Sequence, residues 1–375
     1  MRLLVMIPKL SGGGAEKIVC NLLKSFPSHW DIDVLLRDRS QCCEFPENVH
    51  VLDIKSESAL SYFHYLKRSK KKSVYDVYLS HMAFTNFMNL ISGRKSGKRV
   101  LTIHNVTSIQ MKTYKIGFLY NLVIKLLYNR ADYIVTVGED SRNDMITYYG
   151  IAPEKVVAIP NGVDVDSIQV CRMEMPKDGI IFGAPVVCSI GRYTFQKRFD
   201  YLIRSIKSVK DKYDSVKLIL IGEGELREQY EQLIKELGLE NNVVLAGWHE
   251  NPYSILGHAD MFAFCPDFEG FGLALCEAFV CGIPCITTNH PGGIQELMQF
   301  SGNSSENVIL DTGILTPPIS GENGIEQFAE AIIYMHEHPE YAKKCVEYNL
   351  RRCDEFSLKT MSEKWIEILN KVTTL

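Results

Sequence analysis

The chain has 375 residues, 46% of them hydrophobic and 23% charged, with a formal net charge of −4. It is too long for one ordinary core, so two domains are the natural reading of a composition typical of soluble globular proteins. No segment offers about 18 uninterrupted apolar residues, which excludes a bilayer-spanning helix. The net charge conceals an asymmetry: residues 1–165 hold 22 Lys and Arg against 15 Asp and Glu, and the remainder holds 19 against 30. The basic half suits an anionic surface or substrate, and no nucleic-acid partner is expected. The 11 cysteines include no C-x-x-C pair, and several (Cys188, Cys265, Cys276, Cys281) lie in apolar runs. They read as reduced, buried thiols of a cytoplasmic protein rather than as disulfides or a zinc site.

Residues 2–7 form an apolar run ended by Pro8 and Lys9, a first buried strand rather than a signal peptide. Ser11-Gly12-Gly13-Gly14 turns the chain into a helix over Ala15–Phe26, with Ile18, Val19, Leu22, Leu23 and Phe26 on one face. Short β-rich runs follow at Asp33–Leu36, Tyr75–Ser80, Arg99–Ile103, Asp132–Val137 and Val156–Ile159, several of them separated by helical stretches. This alternation predicts a parallel sheet covered on both faces. Within the same half, Lys67-Arg-Ser-Lys-Lys-Lys72 packs five cations into six residues, and Arg94, Lys95, Lys98 and Arg99 follow. Beside anionic lipid such cations gain roughly 1 kcal/mol each. The run between Lys112 and Arg130, rich in Ile, Leu, Val and Phe, reads either as a buried domain helix or as an interfacial amphipathic helix.

Pro160-Asn-Gly-Val-Asp-Val-Asp166 is a turn, and the stretch to about Ala184 has no clear period. The domain boundary falls there, with a linker over 166–183. A second alternating series runs through Val186–Ile190, Val216–Ile221, Val243–Ala246, Met261–Phe264 and Pro284–Thr287, with helices between and after. A last helix spans about Leu358–Val372.

Four motifs carry chemistry. The Gly13-Gly14 turn opens a helix, where free backbone N–H groups and the dipole favour an anion. His104 ends a strand, at the carboxyl end where parallel sheets meet ligands, though taken alone it reads as a structural or surface histidine. Ser189-Ile190-Gly191-Arg192 continues to Gln196-Lys197-Arg198, so a strand end and a glycine precede Arg192 and Lys197, two cations able to neutralise a diphosphate. Glu269-Gly270-Phe271-Gly272 leads into an apolar helix carrying Glu277. A carboxylate on each side of a helix entry can grip hydroxyls while the entry takes phosphate. Gly222 sits in a further Gly-x-Gly turn. The dinucleotide spacing G-x-G-x-x-G is absent from both glycine turns, which argues against a dehydrogenase. The D-x-D strings Asp31-Ile-Asp33 and Asp164-Val-Asp166 read as local turn chemistry rather than as a metal site.

The Glu269…Glu277 segment, with Gly282-Ile283-Pro284 after it, closely resembles the E-x7-E region of the retaining glycosyltransferases of family 4, and the chain follows that family in order over nearly its whole length. The resemblance implies a GT-B fold: α/β, with two Rossmann-like domains whose parallel sheets face each other across a cleft. It implies an acceptor domain over 1–165, joined by a returning helix at 358–375, and a nucleotide-sugar domain over 184–357. By residue, it implies catalytic roles for Arg192, Lys197, Glu269 and His104. It implies donor contacts for Gly13, Gly14, Gly222, Gly270, Phe271, Gly272 and Glu277, with Glu277 on the ribose. Glu16 is read as a first-turn helix residue. Arg198 stands where the family commonly has Gly. The implied reaction moves a hexose or N-acetylhexosamine from a nucleotide sugar, UDP by family frequency, to a saccharide or lipid-linked acceptor in bacterial surface polysaccharide assembly. No cofactor or metal is expected. The expected setting is the cytoplasm, with peripheral contact at the inner face of an anionic membrane. A GT-B-like sugar-nucleotide epimerase and a non-catalytic sugar-nucleotide-binding protein remain open as alternatives.

Overall fold

The computed structural model describes residues 1–38, 43–52, 58–93, 96–176 and 183–374. The chain divides into two units: Met1–Gly162 with Leu358–Leu375, and Val163–Ser357.

Among the described residues, unit 1 holds seven strands: β1 (Arg2–Ile7), β2 (Asp31–Leu36), β3 (Val49–Val51), β4 (Val77–His81), β5 (Lys98–Ile103), β6 (Tyr133–Thr136) and β7 (Val156–Ala158). Their order is β3-β2-β1-β4-β5-β6-β7, and every pairing is parallel. The central strands are near-continuous apolar runs because helices cover both faces. In β1, every residue from Leu3 to Ile7 is buried. The first helix, Gly14–Ser25, turns Ile18, Val19, Leu22 and Leu23 inward. The last helix, Leu358–Thr374, packs against it and so completes this unit.

Unit 2 holds seven described strands: β8 (Val186–Ile190), β9 (Lys217–Ile221), β10 (Val243–Gly247), β11 (Met261–Phe264), β12 (Cys285–Thr288), β13 (Val308–Leu310) and β14 (Gly313–Thr316). Their order is β10-β9-β8-β11-β12-β14-β13. Only β13, paired with β14, runs antiparallel among them. The core of one face is built by Leu202, Ile203 and Ile206 of the helix Phe199–Lys212 and by Phe328 and Ile332 of the helix Gly321–Glu337. These pack with Val187, Leu218 and Ile286 from the sheet.

Several sequence expectations need correction. Strands β3, β13 and β14 are additional; each is three or four residues long, too short to show a period. Residues 166–183 are not all linker. Val165–Cys171 is a helix of unit 2, and the neighbouring Arg172 guanidinium donates to the Cys281 carbonyl. Residues 177–182 of that expected linker lie outside the described residues. Cys20 and Cys43 form a disulfide, contrary to the reduced reading for that pair. The free cysteines described are all buried except Cys171, which is half-buried.

The cation run is also less open than its sequence suggests. Lys70 is buried and donates to the Asn89 carbonyl (2.5 Å), Asn89 Oδ1 (2.9 Å) and Ser92 Oγ (2.9 Å). Burial, with the nearby Arg99 charge second, lowers its ammonium to about 7. Arg99 is buried and reaches Asp132 (3.7 Å) and the Arg130 carbonyl. Lys67, Arg68, Lys71 and Lys72 face outward. Arg94 and Lys95 lie outside the described residues.

Candidate active site

In unit 2 the strand order reverses between β8 and β11: the next strand in sequence after β8 lies on its other side. Parallel sheets meet ligands beyond the carboxyl ends of their strands at such a switch point. The loops leaving these two strands carry Arg192, Lys197 and Glu269. The Lys197 ammonium forms an ion pair with Glu269 Oε1 across the switch point. Their side chains are only 18% and 12% exposed, so water screens the pair weakly. Lys197 Nζ also lies 4.9 Å from the centroid of the Phe264 ring. Gln196 ties the loops together: its Nε2 donates to the Phe268 carbonyl (2.8 Å), and its own carbonyl accepts from Asp267 N (2.9 Å). Arg192, on the same loop as Lys197, is exposed and has no side-chain hydrogen bond or ion pair among the described residues.

Arg198 occupies the left-handed region at φ +50° and ψ +40°. This is a conformation that glycine takes without cost. Here the arginine is held by its side chain. Its guanidinium reaches Asp267 (3.2 Å) and Asp200 (3.0 Å) and lies 3.5 Å from the centroid of the Tyr201 ring. Burial pushes the Asp267 carboxyl upward, with Arg198 opposing it. Side-chain contacts thus hold a turn whose backbone favours glycine.

Gly272, at φ +91°, is the N-cap of the helix Leu273–Cys281. Gly270 and Phe271 precede it, and the Phe271 ring is buried, so this segment offers backbone rather than side chain. The turn is backed by Gly292 and Gly293. A Cβ at Gly292 would lie 2.1 Å from the Glu269 carbonyl oxygen, and one at Gly293 would lie 2.3 Å from that of Phe271. Glu277 is buried, not an ordinary exposed helix position, and its Oε1 accepts from the Tyr253 hydroxyl (2.8 Å). Burial, reinforced by the Glu277 charge, pushes that hydroxyl well above its ordinary range. Gly222 permits a close backbone approach. A Cβ there would lie 2.0 Å from the Gly191 carbonyl oxygen, so the loops after β8 and β9 meet only because it is glycine.

The remaining predicted residues belong to unit 1. His104 follows β5, and its Nε2 lies 3.3 Å from Nδ1 of His81, the last residue of β4. Trp365, from the last helix, packs 6.3 Å from the His81 ring. Burial lowers His104 to about 4. Burial, with His104 second, holds His81 well below 6.5. Both rings are therefore neutral at pH 7, and the outer nitrogens, His104 Nδ1 and His81 Nε2, are buried without a hydrogen-bond partner among the described residues.

Gly13 is the N-cap of the first helix, and Glu16 reaches back over it. Glu16 Oε2 accepts from Gly13 N (3.2 Å), Ser11 N (2.5 Å) and Ser11 Oγ (3.2 Å). The Gly13 N–H expected to face a donor phosphate is thus occupied by a carboxylate of the chain itself. Glu16 does complement the helix terminus, as its sequence position implies. The D-x-D strings are committed locally. Asp31 pairs with Arg2 (3.1 Å), Asp33 accepts from the Tyr75 hydroxyl (2.5 Å), and Asp164 caps a helix through Ser167 N (3.1 Å). Asp31 lies within β2 rather than before it.

Sequence reasoning missed Gln196, Tyr253 and His81. His81 had a usable signal, a histidine just past an apolar run, the same one that singled out His104. Tyr253 and Gln196 had none, because their partners lie 24 and 72 positions away.

Comparison with known proteins agrees with this architecture. The family described as "Glycosyl transferases group 1" matches residues 174–352, and "Glycosyltransferase Family 4" matches residues 12–167. A relative from Campylobacter jejuni, N-acetylgalactosamine-N,N'-diacetylbacillosaminyl-diphospho-undecaprenol 4-alpha-N-acetylgalactosaminyltransferase, is 28% identical over 306 residues, 78% of this chain and 82% of that protein. HepE from Anabaena, solved in complex with UDP, superposes with a TM-score of 0.76 at 21% identity, covering 99% of this chain and 100% of that one. Sucrose-phosphate synthase from Thermosynechococcus elongatus gives 0.79 at 16% identity, covering 100% and 99%. With family matches to both halves and GT-B neighbours along its whole length, the chain belongs to glycosyltransferase family 4.

Proposed function

We propose that this glycosyltransferase is retaining, and that it moves a hexose or N-acetylhexosamine from a UDP-sugar to a saccharide or lipid-linked saccharide in bacterial surface polysaccharide assembly. The observation that carries the reading is the Lys197–Glu269 pair at the unit 2 switch point, with Arg192 unpaired on the same loop. UDP in the HepE complex and the diphospho-undecaprenol in the Campylobacter relative's name support the choice of donor and acceptor.

In this reading Arg192 and Lys197 take the diphosphate, with the helix entry at Gly270–Gly272 supplying backbone N–H groups, and together they stabilise the departing UDP. Glu269 holds hydroxyls of the sugar, and Glu277, oriented by Tyr253, holds those of the ribose. The acceptor attacks from the face that the nucleotide leaves, and the leaving phosphate takes the acceptor's proton. No metal takes part in this reading, because Arg192 and Lys197 supply the positive charge and Asp31, Asp33 and Asp164 have other partners. The enzyme works in the cytoplasm at the inner face of an anionic membrane, where a lipid-linked acceptor lies.

The test is UDP release from a panel of UDP-sugars, with and without a lipid-linked saccharide, together with the anomeric configuration of the product by NMR. Acceptor-accelerated release with the donor's configuration kept is expected. An inverted product would refute retention, and turnover of the sugar nucleotide without any acceptor would favour an epimerase.

A further inference from the structure

The helix Gly117–Leu127 is built backwards for a helix on a protein surface. Gly117, Ile124 and, just beyond its end, Tyr128 face the core. Ile124 and Tyr128 join the cluster of Leu101, Ile103 and Ile134, with Leu127 half-buried against it. Gly117 lies so close to the preceding helix that a Cβ there would meet the Met111 carbonyl oxygen. The outward face should then be polar. Instead Phe118 is 77% exposed, Leu126 65%, Ile116 56% and Leu119 54%, and Leu122, Tyr114 and Tyr120 are exposed beside them. Phe118, Leu122 and Leu126 repeat every four residues along one side. Scattered apolar residues on a surface need no explanation, but a contiguous set on one helix does.

The charge carried by this stretch of the chain has one sign. Between Asp76 and Asp132 the chain contains no Asp or Glu, but eight Lys and Arg. Of these, Lys112, Lys115, Lys125 and Arg130 are exposed on or beside the helix. An apolar face bordered by cations fits an anionic lipid surface, with the side chains among the acyl chains and the ammonium groups at the headgroups. A protein partner would have to bring both an apolar groove and a matching acidic rim.

We propose that Gly117–Leu127 is the element that enters an anionic bilayer, through Phe118, Leu119, Leu122 and Leu126, with Lys112, Lys115 and Lys125 at the headgroups. This deepens the membrane setting proposed above and rests on it, but not on the identity of donor or acceptor.

The test is vesicle co-sedimentation of the full chain with phosphatidylglycerol-containing and with pure phosphatidylcholine vesicles. A variant carrying Phe118→Ser, Leu122→Ser and Leu126→Ser is compared with one carrying Lys112→Gln, Lys115→Gln and Lys125→Gln. Thermal stabilisation by UDP serves as the folding control. The wild type should prefer the anionic vesicles and release with salt. The serine variant should bind them roughly tenfold or more weakly, and the glutamine variant should lose the anionic preference, both keeping the UDP response. Undiminished binding by the serine variant would overturn the helix as the entry element while leaving a membrane setting intact. No vesicle binding by the wild type would overturn both, and the transferase reading would still be judged by UDP release. A wild-type dimer that the serine substitutions dissociate, without vesicle binding, would show a second copy covering this face and overturn the proposal.

Discussion

Lys197 and Glu269, 72 positions apart, form an ion pair that closes the loops after β8 and β11 over the switch point of their sheet. In the proposed reading the pair sets a cation for phosphate beside a carboxylate for hydroxyls, each holding the other in position. Neither is an idle surface charge, and removing one strands the other in a poorly hydrated site.

Substitution of Glu269 by Ala should therefore abolish most transfer while leaving the fold. Loss of a polar group aimed at the reacting sugar is expected to cost on the order of 10²–10³ in kcat. The circular dichroism spectrum should be that of the wild type. Lys197→Ala should cost a similar factor, and the double variant less than the product of the two, since they act as one unit. Unchanged turnover in Glu269→Ala would remove this residue from the site.

Tyr253→Phe isolates the support of Glu277. The hydroxyl donates to a buried carboxylate, and such a bond is worth about 1.5–3 kcal/mol. The variant should bind UDP roughly tenfold or more weakly by titration calorimetry, with a smaller effect on kcat. Equal affinity would mean that Tyr253 serves packing alone.

Arg198 offers a test of backbone against side chain. Arg198→Ala loses the Asp267 and Asp200 contacts and still carries a Cβ at positive φ. Arg198→Gly loses the same contacts but relieves the backbone by roughly 1 kcal/mol. In urea unfolding, both should be less stable than the wild type, with Gly the milder. Ala equal to or milder than Gly would show that the left-handed turn stores no strain.

Acid should destabilise the protein through its neutral histidines. In the unfolded chain an imidazole titrates near 6.5, whereas folded His104 is held at about 4 and His81 also well below 6.5. Between these values the unfolded state binds more protons, so stability is full above about pH 6.5 and falls as the pH drops toward 4. His290, also lowered to about 4 by burial, adds to the slope. Denaturant midpoints measured across this window should fall more gently in His104→Gln than in the wild type, and an equal slope would contradict the burial of a neutral ring.

Chelation provides the last check. Transfer by protein treated with EDTA should match that of untreated protein if, as proposed, Arg192 and Lys197 balance the charge of the leaving group. Loss restored by a divalent cation would require a metal at the diphosphate.

Much was legible in the chain alone, for reasons that are local. Alternating strands and helices marked two α/β halves, since a parallel strand buried on both faces is an apolar run and its covering helix has one apolar stripe. Residues that touch backbone at short range were also legible: the glycine turn into Leu273–Cys281, and Glu16 over its own helix terminus. Strands β3, β13 and β14 were not, because three or four residues hold no period and their strand character comes from a neighbour.

What the tertiary structure decided is which distant groups meet and which faces stay open. The sequence places Lys197 near Arg192 and Glu269 near Glu277, but only strand order brings Lys197 to Glu269 and a separate helix brings Tyr253 to Glu277. The run Lys67–Lys72 reads as uniform charge until Lys70 is seen buried against Asn89. The apolar run at 116–127 reads equally as a core helix or a surface one. Composition records only that these side chains avoid water, and packing decides that Ile124 meets the core while Phe118, Leu122 and Leu126 do not.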